Sequence, residues 1–199
     1  MLYTKVRIDY KYAERGRLYR VFLIKGDPDL HQLGYLFGMS LRWDIDHCFC
    51  FVRKMDRRLG LCSFEETLYG SPDYITCETL SDLGDQFDFE YDYGDCWNFS
   101  CRRYKRQIDI DVDLDFIVIE GAGQGIWEDN RWAFDLYLMG QLNKNSSEED
   151  ENRGIYLPFN FKCEKYGDFD LPLDLNALNE ELGCMFVSAC PPKKKTKKR

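Results

Sequence analysis

The first 24 residues contain two stretches in which apolar and polar positions alternate. Residues 2–12 place every second apolar side chain on the same face, which is the pattern of a half-buried strand. The two faces of that strand would carry Val6, Ile8, Tyr10 and Tyr12 on one side, and Lys5, Arg7, Asp9 and Lys11 on the other. A turn at residues 14–16 and a second apolar run at residues 18–24 predict that this strand folds back as a hairpin.

A helix is predicted directly after the hairpin. Asp27 would be its N-cap and Pro28 its first helical residue, because proline needs no hydrogen-bond partner for its nitrogen at that position. Its apolar face would carry Leu30, Leu33, Leu36 and Phe37. Gly34 and Gly38 either weaken this helix or allow a neighbouring element to pack closely against it.

Short runs rich in aromatic and β-branched residues predict the remaining strands. They cover residues 48–52, 86–91, 97–106, 108–119 and 156–161. Two further helices are predicted at residues 128–142 and 174–182, and the second of these is short and ended by Gly183. The expected fold is therefore α+β, with a mostly antiparallel or mixed sheet, two main helices and a short C-terminal helix.

One domain is expected to span residues 1–190. Within it, residues 143–153 are polar and acidic and predict a flexible loop, while residues 191–199 predict a disordered basic tail. The segment 92–95 has the composition of a tight turn between two strands, in which Gly94 is expected to take a positive φ.

Charge is distributed unevenly along the chain. The formal net charge is -8, but six of the 27 basic residues lie in the last seven positions. They are Lys193, Lys194, Lys195, Lys197, Lys198 and Arg199. Residues 1–192 therefore hold 21 basic against 35 acidic side chains, and such a body repels nucleic acid unless its charge is sharply segregated. We expect at most weak nucleic-acid contact, made through the tail.

The cellular location is predicted from what the sequence lacks. The N-terminus has no apolar signal-peptide core, and no run approaches the ~20 apolar residues that span a bilayer. The nine cysteines then indicate reduced thiols in a cytoplasmic protein without membrane contact. In a eukaryotic host the basic tail would instead fit a nuclear-import signal.

The residues present disfavour both a nucleotide-binding loop and a Ser/Cys–His catalytic site. The glycine-rich run at 121–125 lacks a Walker lysine, and Glu128 and Asp129 would place negative charge where a phosphate would have to bind. Only His31 and His47 are available to a Ser/Cys–His mechanism, and an architectural role is favoured over catalysis for both histidines.

Three blocks in the sequence together resemble the Ri-plasmid ORF-3-like family, whose members are often found on plasmids or beside transposons. The blocks are LRWDIDHCF at 41–49, FEYDYGDCW at 89–97 and GAGQGIWED at 121–129. Phe99 stands where many members have histidine, and Asn130-Arg131 replaces the usual glycines, so a role for that histidine is not carried over. The resemblance implies an α+β fold and no particular activity.

The three blocks also contain residue types that bind divalent metals. We predict a binding cleft formed by Trp43, Asp44, His47, Asp92, Asp95, Trp97, Glu128 and Asp129. Carboxylates with one imidazole can hold Mg²⁺ or Mn²⁺, and if a metal is bound its ligands are expected to be Asp92, Asp95, Glu128 and His47. The same residues also have structural explanations, because aspartates suit turns and helix N-caps.

Two functions follow from these observations. The favoured hypothesis is a non-enzymatic binding or accessory protein of a plasmid or other mobile genetic element, with a protein partner and without a cofactor. The alternative is a metal-dependent hydrolase that uses Mg²⁺ or Mn²⁺ to act on a phosphate ester. The two hypotheses differ in whether the carboxylates of the three blocks converge on one site.

Overall fold

A single antiparallel sheet forms the centre of the structure. The computed structural model describes residues 1–53, 58–62, 79–124, 128, 130–144 and 165–189, with side chains described as far as residue 183 except at 58–62. Its strands are β1 (Leu2–Tyr10), β2 (Tyr19–Lys25), β3 (Phe49–Arg53), β4 (Arg58–Cys62), β5 (Gln86–Tyr91), β6 (Trp97–Arg103), β7 (Ile108–Asp109) and β8 (Phe116–Ala122). They follow the order β4-β3-β5-β6-β1-β2-β8, and β7 pairs with the start of β1.

Helices pack against this sheet, which confirms the predicted α+β fold. The α-helices are α1 (Leu30–Ser40), α2 (Arg131–Leu138) and α3 (Leu175–Ala189), and two 3-10 helices cover Leu80–Leu83 and Tyr166–Asp170. None of the described helices has the length and apolar character needed to cross a membrane. The strand predicted at 156–161, most of the acidic segment 143–153 and the basic tail 191–199 lie outside the described residues.

The two faces of the sheet differ as the alternation in β1 predicts. Val6 and Ile8 are fully buried, whereas Arg7 and Asp9 on the opposite face are only partly buried. The buried face of β5 and β6 is largely aromatic, with Phe87, Phe89, Tyr91, Trp97 and Phe99. Burial of these aromatic side chains contributes a large apolar surface to the core between the helices and the sheet.

Two glycines of α1 allow close packing, Gly34 against strand β3 and Gly38 against the turn that follows the helix. A Cβ atom on Gly34 would lie 2.0 Å from Phe49 Cε2, and one on Gly38 would lie 1.9 Å from Ile45 Cδ1. These distances are far below van der Waals contact, so a larger side chain at either position would force Phe49 or Ile45 to move. The close approach of a neighbour expected at Gly34 and Gly38 is present at both.

The helix starts differ from the predictions. Asp29 rather than Asp27 is the N-cap of α1, and its side chain accepts a hydrogen bond from the backbone N–H of Gln32 at 2.8 Å. Asp27 instead accepts one from the backbone N–H of Ser81 at 2.9 Å, and so stabilises the first 3-10 helix. The helix expected from residue 128 begins only after Asn130, which is its N-cap.

The predicted short C-terminal helix is wrong in length. Helix α3 has 15 residues, against 11 in α1 and 8 in α2, and it continues through Gly183 to Ala189. Gly183 keeps a helical conformation because nothing forces its backbone into the left-handed region. An interior glycine costs about 1 kcal/mol relative to alanine, which a packed helix tolerates.

The strand predicted at 108–119 is interrupted. Only Ile108–Asp109 and Phe116–Ala122 join the sheet, and residues 110–115 leave it. The hydroxyl of Tyr3 donates to the carbonyls of Val112 and Leu114, at 2.7 and 2.8 Å. The side chain of Tyr3 thus replaces a neighbouring strand as the hydrogen-bond partner of these two carbonyls. The alternation of apolar and polar residues in the sequence does not reveal this contact.

Candidate functional site

The three sequence blocks meet at the side chain of Glu128, which is only 4% exposed. Its carboxylate accepts hydrogen bonds from the backbone N–H groups of Asp44, at 2.7 Å, and Ile45, at 3.1 Å. It also accepts one from the hydroxyl of Tyr91. Its backbone carbonyl accepts one from Trp97 Nε1, at 2.7 Å. We call these five residues the Glu128 cluster.

The turn after α1 shapes the first part of this cluster. Arg42 and Ile45 have φ values of 65° and 61°, in the left-handed region that non-glycine residues rarely occupy. This backbone path points the successive N–H groups of Asp44 and Ile45 at one carboxylate, as in an anion-binding nest. Such strain costs of order 1–3 kcal/mol per residue and persists only where the surroundings impose it. Glu128 supplies the compensating interaction.

Aromatic packing supports the cluster from the core side. Trp43 stacks on Tyr91 with ring centroids 4.4 Å apart and an interplanar angle of 20°, and Trp97 packs beside Trp43 at 5.3 Å. All three rings are fully buried. The two tryptophans that the sequence placed in a binding cleft therefore lie in the core, where they position the residues around Glu128.

His47 and Asp92 form the accessible part of this region. His47 Nδ1 lies 3.9 Å from Asp92 Oδ1, and the two side chains are 37% and 12% exposed. The backbone N–H of His47 donates to the hydroxyl of Tyr91 at 3.2 Å, so the histidine is tied to the Glu128 cluster through Tyr91. Among the residues proposed for the cleft, His47 and Asp92 are two side chains of complementary type that lie side by side next to the cluster, with His47 the more exposed of the two.

The turn that carries Asp92 differs from the predicted one. Positive φ values occur at Asp92 (52°) and Cys96 (58°), and not at Gly94. The expectation for Gly94 is therefore wrong, because Asp92 takes the left-handed conformation. Its carboxylate accepts the backbone N–H of Gly94 at 2.8 Å, which is the local bond that makes aspartate tolerant of this conformation.

Asp95 is directed toward the start of α2. Its carboxylate accepts the backbone N–H of Arg131 at 2.9 Å, and its carbonyl accepts from Arg131 Nε. Arg131 also pairs with Asp135 at 3.0 Å, and Asp135 accepts the hydroxyl of Tyr10 at 2.9 Å. Asp95 thus joins the turn after β5 to α2 and lies in a different hydrogen-bond network from the carboxylate of Glu128.

The carboxylates proposed as metal ligands are arranged in different ways. Glu128 is buried within its cluster, Asp92 lies next to His47, and Asp95 bonds Arg131. The side chain of Asp44 is exposed, and Asp129 lies outside the described residues. Within the described ranges, no three His, Cys, Asp or Glu side chains are grouped so that they could hold a metal ion.

Arg20 is a buried charge that the sequence analysis did not single out. It is fully buried on β2, and its guanidinium makes five hydrogen bonds of 2.6–3.0 Å to backbone carbonyls. The acceptors belong to Tyr19, Ser40, Ala122, Gly123 and Gln124. Burial, followed by the charge of Arg42, lowers the pKa of Arg20 to about 9. The sequence did contain a sign of this role, because Arg20 is the one charged residue within the apolar stretch of β2.

Arg20 also explains the glycine-rich segment that follows β8. A Cβ atom on Gly121 would lie 3.0 Å from Arg20 Cδ, and one on Gly123 would lie 2.6 Å from Phe169 Cε2. Gly123 has a φ of 79°, which favours glycine for conformational reasons as well. The described part of this run therefore presents its carbonyl oxygens to a buried guanidinium, which is the opposite polarity to a phosphate-binding loop.

The described architecture defines the class: an α+β protein built on one antiparallel sheet, with a buried carboxylate joining three separate segments. The chain matches no family model. It also matches no curated protein. Its fold is similar to that of the protein of unknown function MM3350 from Methanosarcina mazei Go1, with a TM-score of 0.58 and 17% sequence identity. The likeness covers 76% of this chain and 86% of the archaeal chain, and at this identity it shows the fold alone.

Tyr91 gives the Glu128 cluster a measurable pH dependence. Burial, and then the charge of Glu128, raise the pKa of Tyr91 well above its ordinary value of 10.0. Above pH 10 the unfolded chain releases this proton while the folded chain retains it, so stability falls as the pH rises. The slope for one such group is about 1.4 kcal/mol per pH unit.

We therefore expect Tyr91→Phe to lose less stability than the wild type between pH 10 and 11, by about 1 kcal/mol, because half of the unfolded tyrosine is already ionised at pH 10. Urea unfolding at the two pH values measures this difference. Tyr12, which is 58% exposed, provides the control, and Tyr12→Phe should keep the wild-type slope. Equal slopes for Tyr91→Phe and the wild type would contradict the assignment.

Proposed function

We propose that the chain is a non-enzymatic binding or accessory protein of a plasmid or other mobile genetic element. The non-enzymatic part of this proposal rests on the hydrogen bonding of Glu128. The carboxylate of Glu128 accepts hydrogen bonds from two backbone N–H groups and one tyrosine hydroxyl. Those three donors use most of the roughly four acceptor positions of a carboxylate, which supports a role in joining segments of the fold rather than in binding a metal or substrate.

The remaining candidate residues support the same interpretation. Trp43 and Trp97 are in the core, and Asp95 anchors Arg131 at the start of α2. Each of these side chains has a structural task that explains its presence without catalysis. The association with a mobile element rests on the sequence resemblance, and a protein partner is part of the binding-protein hypothesis itself. A cytoplasmic location follows from the sequence composition and is part of the same proposal.

A metal-dependent hydrolase is the second candidate, and one observation favours it. His47 and Asp92 are partly exposed, lie side by side, and connect through Tyr91 to the buried Glu128. An imidazole and a carboxylate at this spacing can bind one divalent ion together with water molecules. The two proposals make opposite predictions for the effect of Mg²⁺ or Mn²⁺ on stability.

The full chain is expected to unfold at the same temperature in millimolar Mg²⁺ or Mn²⁺ as in NaCl of equal ionic strength. A specific site would stabilise the folded state by RT ln(1 + [L]/Kd), about 2.7 kcal/mol at a hundredfold excess over Kd. Thermal unfolding followed by circular dichroism measures the shift.

The control variants distinguish a site from diffuse ion binding. Asp92→Asn removes the carboxylate beside His47, whereas Asp111→Asn removes an exposed charge from the segment between β7 and β8. A saturable shift that is lost in Asp92→Asn and kept in Asp111→Asn would overturn the binding-protein proposal in favour of the hydrolase. Glu128→Gln is unsuitable for this test because it disturbs the fold.

A further inference from the structure

Two arginines lie directly opposite each other near the centre of the sheet. Arg7 on β1 and Arg102 on β6 are register partners on the face that carries charged side chains. Like charges in directly opposed positions destabilise a sheet. Arg7 is neutralised by Asp9, with hydrogen bonds of 2.7 and 2.6 Å, but Arg102 has no ion pair within the described ranges. The site therefore retains an unneutralised positive charge.

This charge lies in an open groove of about 520 Å³, lined by residues of β1, β3, β5 and β6. We call it the Arg102 groove. Its charged lining consists of Arg7, Arg15, Arg53 and Arg102 against Asp9 and Asp88. A second groove of about 620 Å³ shares Tyr104 with the first and adds Arg103 and Lys105 against Asp85.

The two grooves reverse the charge balance of the protein. Their linings hold six cations and three carboxylates, whereas residues 1–192 hold 21 basic and 35 acidic side chains. The acidic body of the chain repels nucleic acid unless its charge is sharply segregated. The grooves are such a segregation, because a local positive field attracts a polyanion despite a negative total.

We propose that the Arg102 groove binds single-stranded nucleic acid through its phosphates, which would make it the partner site of the proposed binding function. Neighbouring strands are about 4.8 Å apart, so the groove spans roughly 14 Å from β3 to β1. Cations spread over that width suit successive phosphates better than the single phosphate of a modified peptide.

Tyr104 adds an aromatic ring where the two grooves meet. Lys5 Nζ lies 5.2 Å from its centroid and the guanidinium of Arg102 lies 5.1 Å from it. A single strand offers phosphates to these cations and a base to the ring, which is the combination found in sequence-independent single-strand sites. Nearby Thr4, Gln86, Ser100 and Gln107 provide hydrogen-bonding groups for sugars and bases.

Fluorescence anisotropy of a labelled oligothymidylate about 12 nucleotides long tests the inference with the full chain. We expect saturable binding whose affinity falls with salt, with a log–log slope near -2 for about three phosphate contacts. Arg102→Gln should weaken binding about fivefold to tenfold and reduce the slope by about 0.7. Because that substitution also removes the opposed charge from Arg7, its melting temperature should equal or exceed that of the wild type.

Lys144→Gln is the matched control, because Lys144 is exposed and contacts the second 3-10 helix through its carbonyl, outside the linings of both grooves. It removes one positive charge, as Arg102→Gln does, and should leave affinity unchanged. Truncation after Cys190 separates the groove from the basic tail. The truncated protein should keep the effect of Arg102→Gln even if the tail adds affinity.

Three results would overturn the inference: equal weakening by Lys144→Gln, binding abolished by the truncation alone, or equal affinity for a duplex of the same length. The outcome is independent of the metal test. If the oligonucleotide does not bind and the metal does not shift the stability, the groove inference fails while the binding-protein proposal stands with a different partner. A saturable metal shift that is lost in Asp92→Asn and kept in Asp111→Asn, without oligonucleotide binding, removes that proposal in favour of the hydrolase.

Discussion

Replacing Arg20 by methionine is expected to lower the free energy of unfolding by about 3–5 kcal/mol. The side chain is fully buried, and five backbone carbonyls from three parts of the chain converge on it. Methionine restores the apolar volume but offers no donors, so those of the carbonyls without a second partner lose their hydrogen bonds. Replacing both partners of a buried ion pair by apolar residues often leaves stability unchanged. Here only the arginine is replaced, and its backbone carbonyl acceptors stay buried without it.

Arg17→Met is the matched control, because Arg17 is a partly exposed arginine on the same hairpin that pairs with Asp170 at 3.0 Å. A surface pair of this kind contributes about 0–1 kcal/mol. Urea unfolding of the two variants gives the comparison directly. Equal stability of Arg20→Met and the wild type would mean that desolvation of the guanidinium offsets all five hydrogen bonds, and would contradict the structural role assigned to Arg20.

Replacing Glu128 by alanine is expected to cost about 3–5 kcal/mol. It leaves the N–H groups of Asp44 and Ile45 and the hydroxyl of Tyr91 without their acceptor, in a region with little access to water. Each unsatisfied buried donor costs about 1–3 kcal/mol. The strained backbone at Ile45 also loses the carboxylate that compensates it.

A double-mutant cycle isolates the bond between Glu128 and Tyr91. Tyr91→Phe alone should cost about 1–3 kcal/mol, and the two substitutions together should cost less than their sum. Chemical unfolding of the four proteins measures the coupling, with Asp111→Ala as an exposed acidic control that should stay within about 0.5 kcal/mol of the wild type. A Glu128→Ala protein as stable as that control would rule out the cluster as the junction of the three blocks.

The sequence predicted the regular strands well because their burial is itself regular. Residues 86–91 were predicted as a strand and form β5 with those bounds, since Phe87, Phe89 and Tyr91 alternate with polar residues. The failure at 108–119 has the same origin. Apolar residues alternate with aspartates there too, but the carbonyls of Val112 and Leu114 accept hydrogen bonds from the hydroxyl of Tyr3. The partners are separated by 109 and 111 positions in the sequence, so the contact leaves no local pattern.

The candidate site was predictable in its members more than in its arrangement. The three blocks contain the residues that meet at Glu128, yet the bond to Asp44 spans 84 residues and the bond to Tyr91 spans 37. Residue types and spacing do not show that a carboxylate is buried among internal donors. Arg102 was missed for a different reason, because its significance depends on the register that places Arg7 opposite it.

The central position of β1 has a consequence for synthesis of the chain. Strand β1 pairs on one side with β2, which follows it closely in the chain, and on the other with the much later β6, where Ile8 meets Cys101. Translation at about 5–20 residues per second delays β6 by on the order of 10 s. During that interval the nascent hairpin has an unpaired strand edge, and non-local pairing of this kind folds slowly. The charges at Lys5, Arg7 and Lys11 protect this edge during the delay, because charged side chains on an open strand edge oppose pairing with other chains.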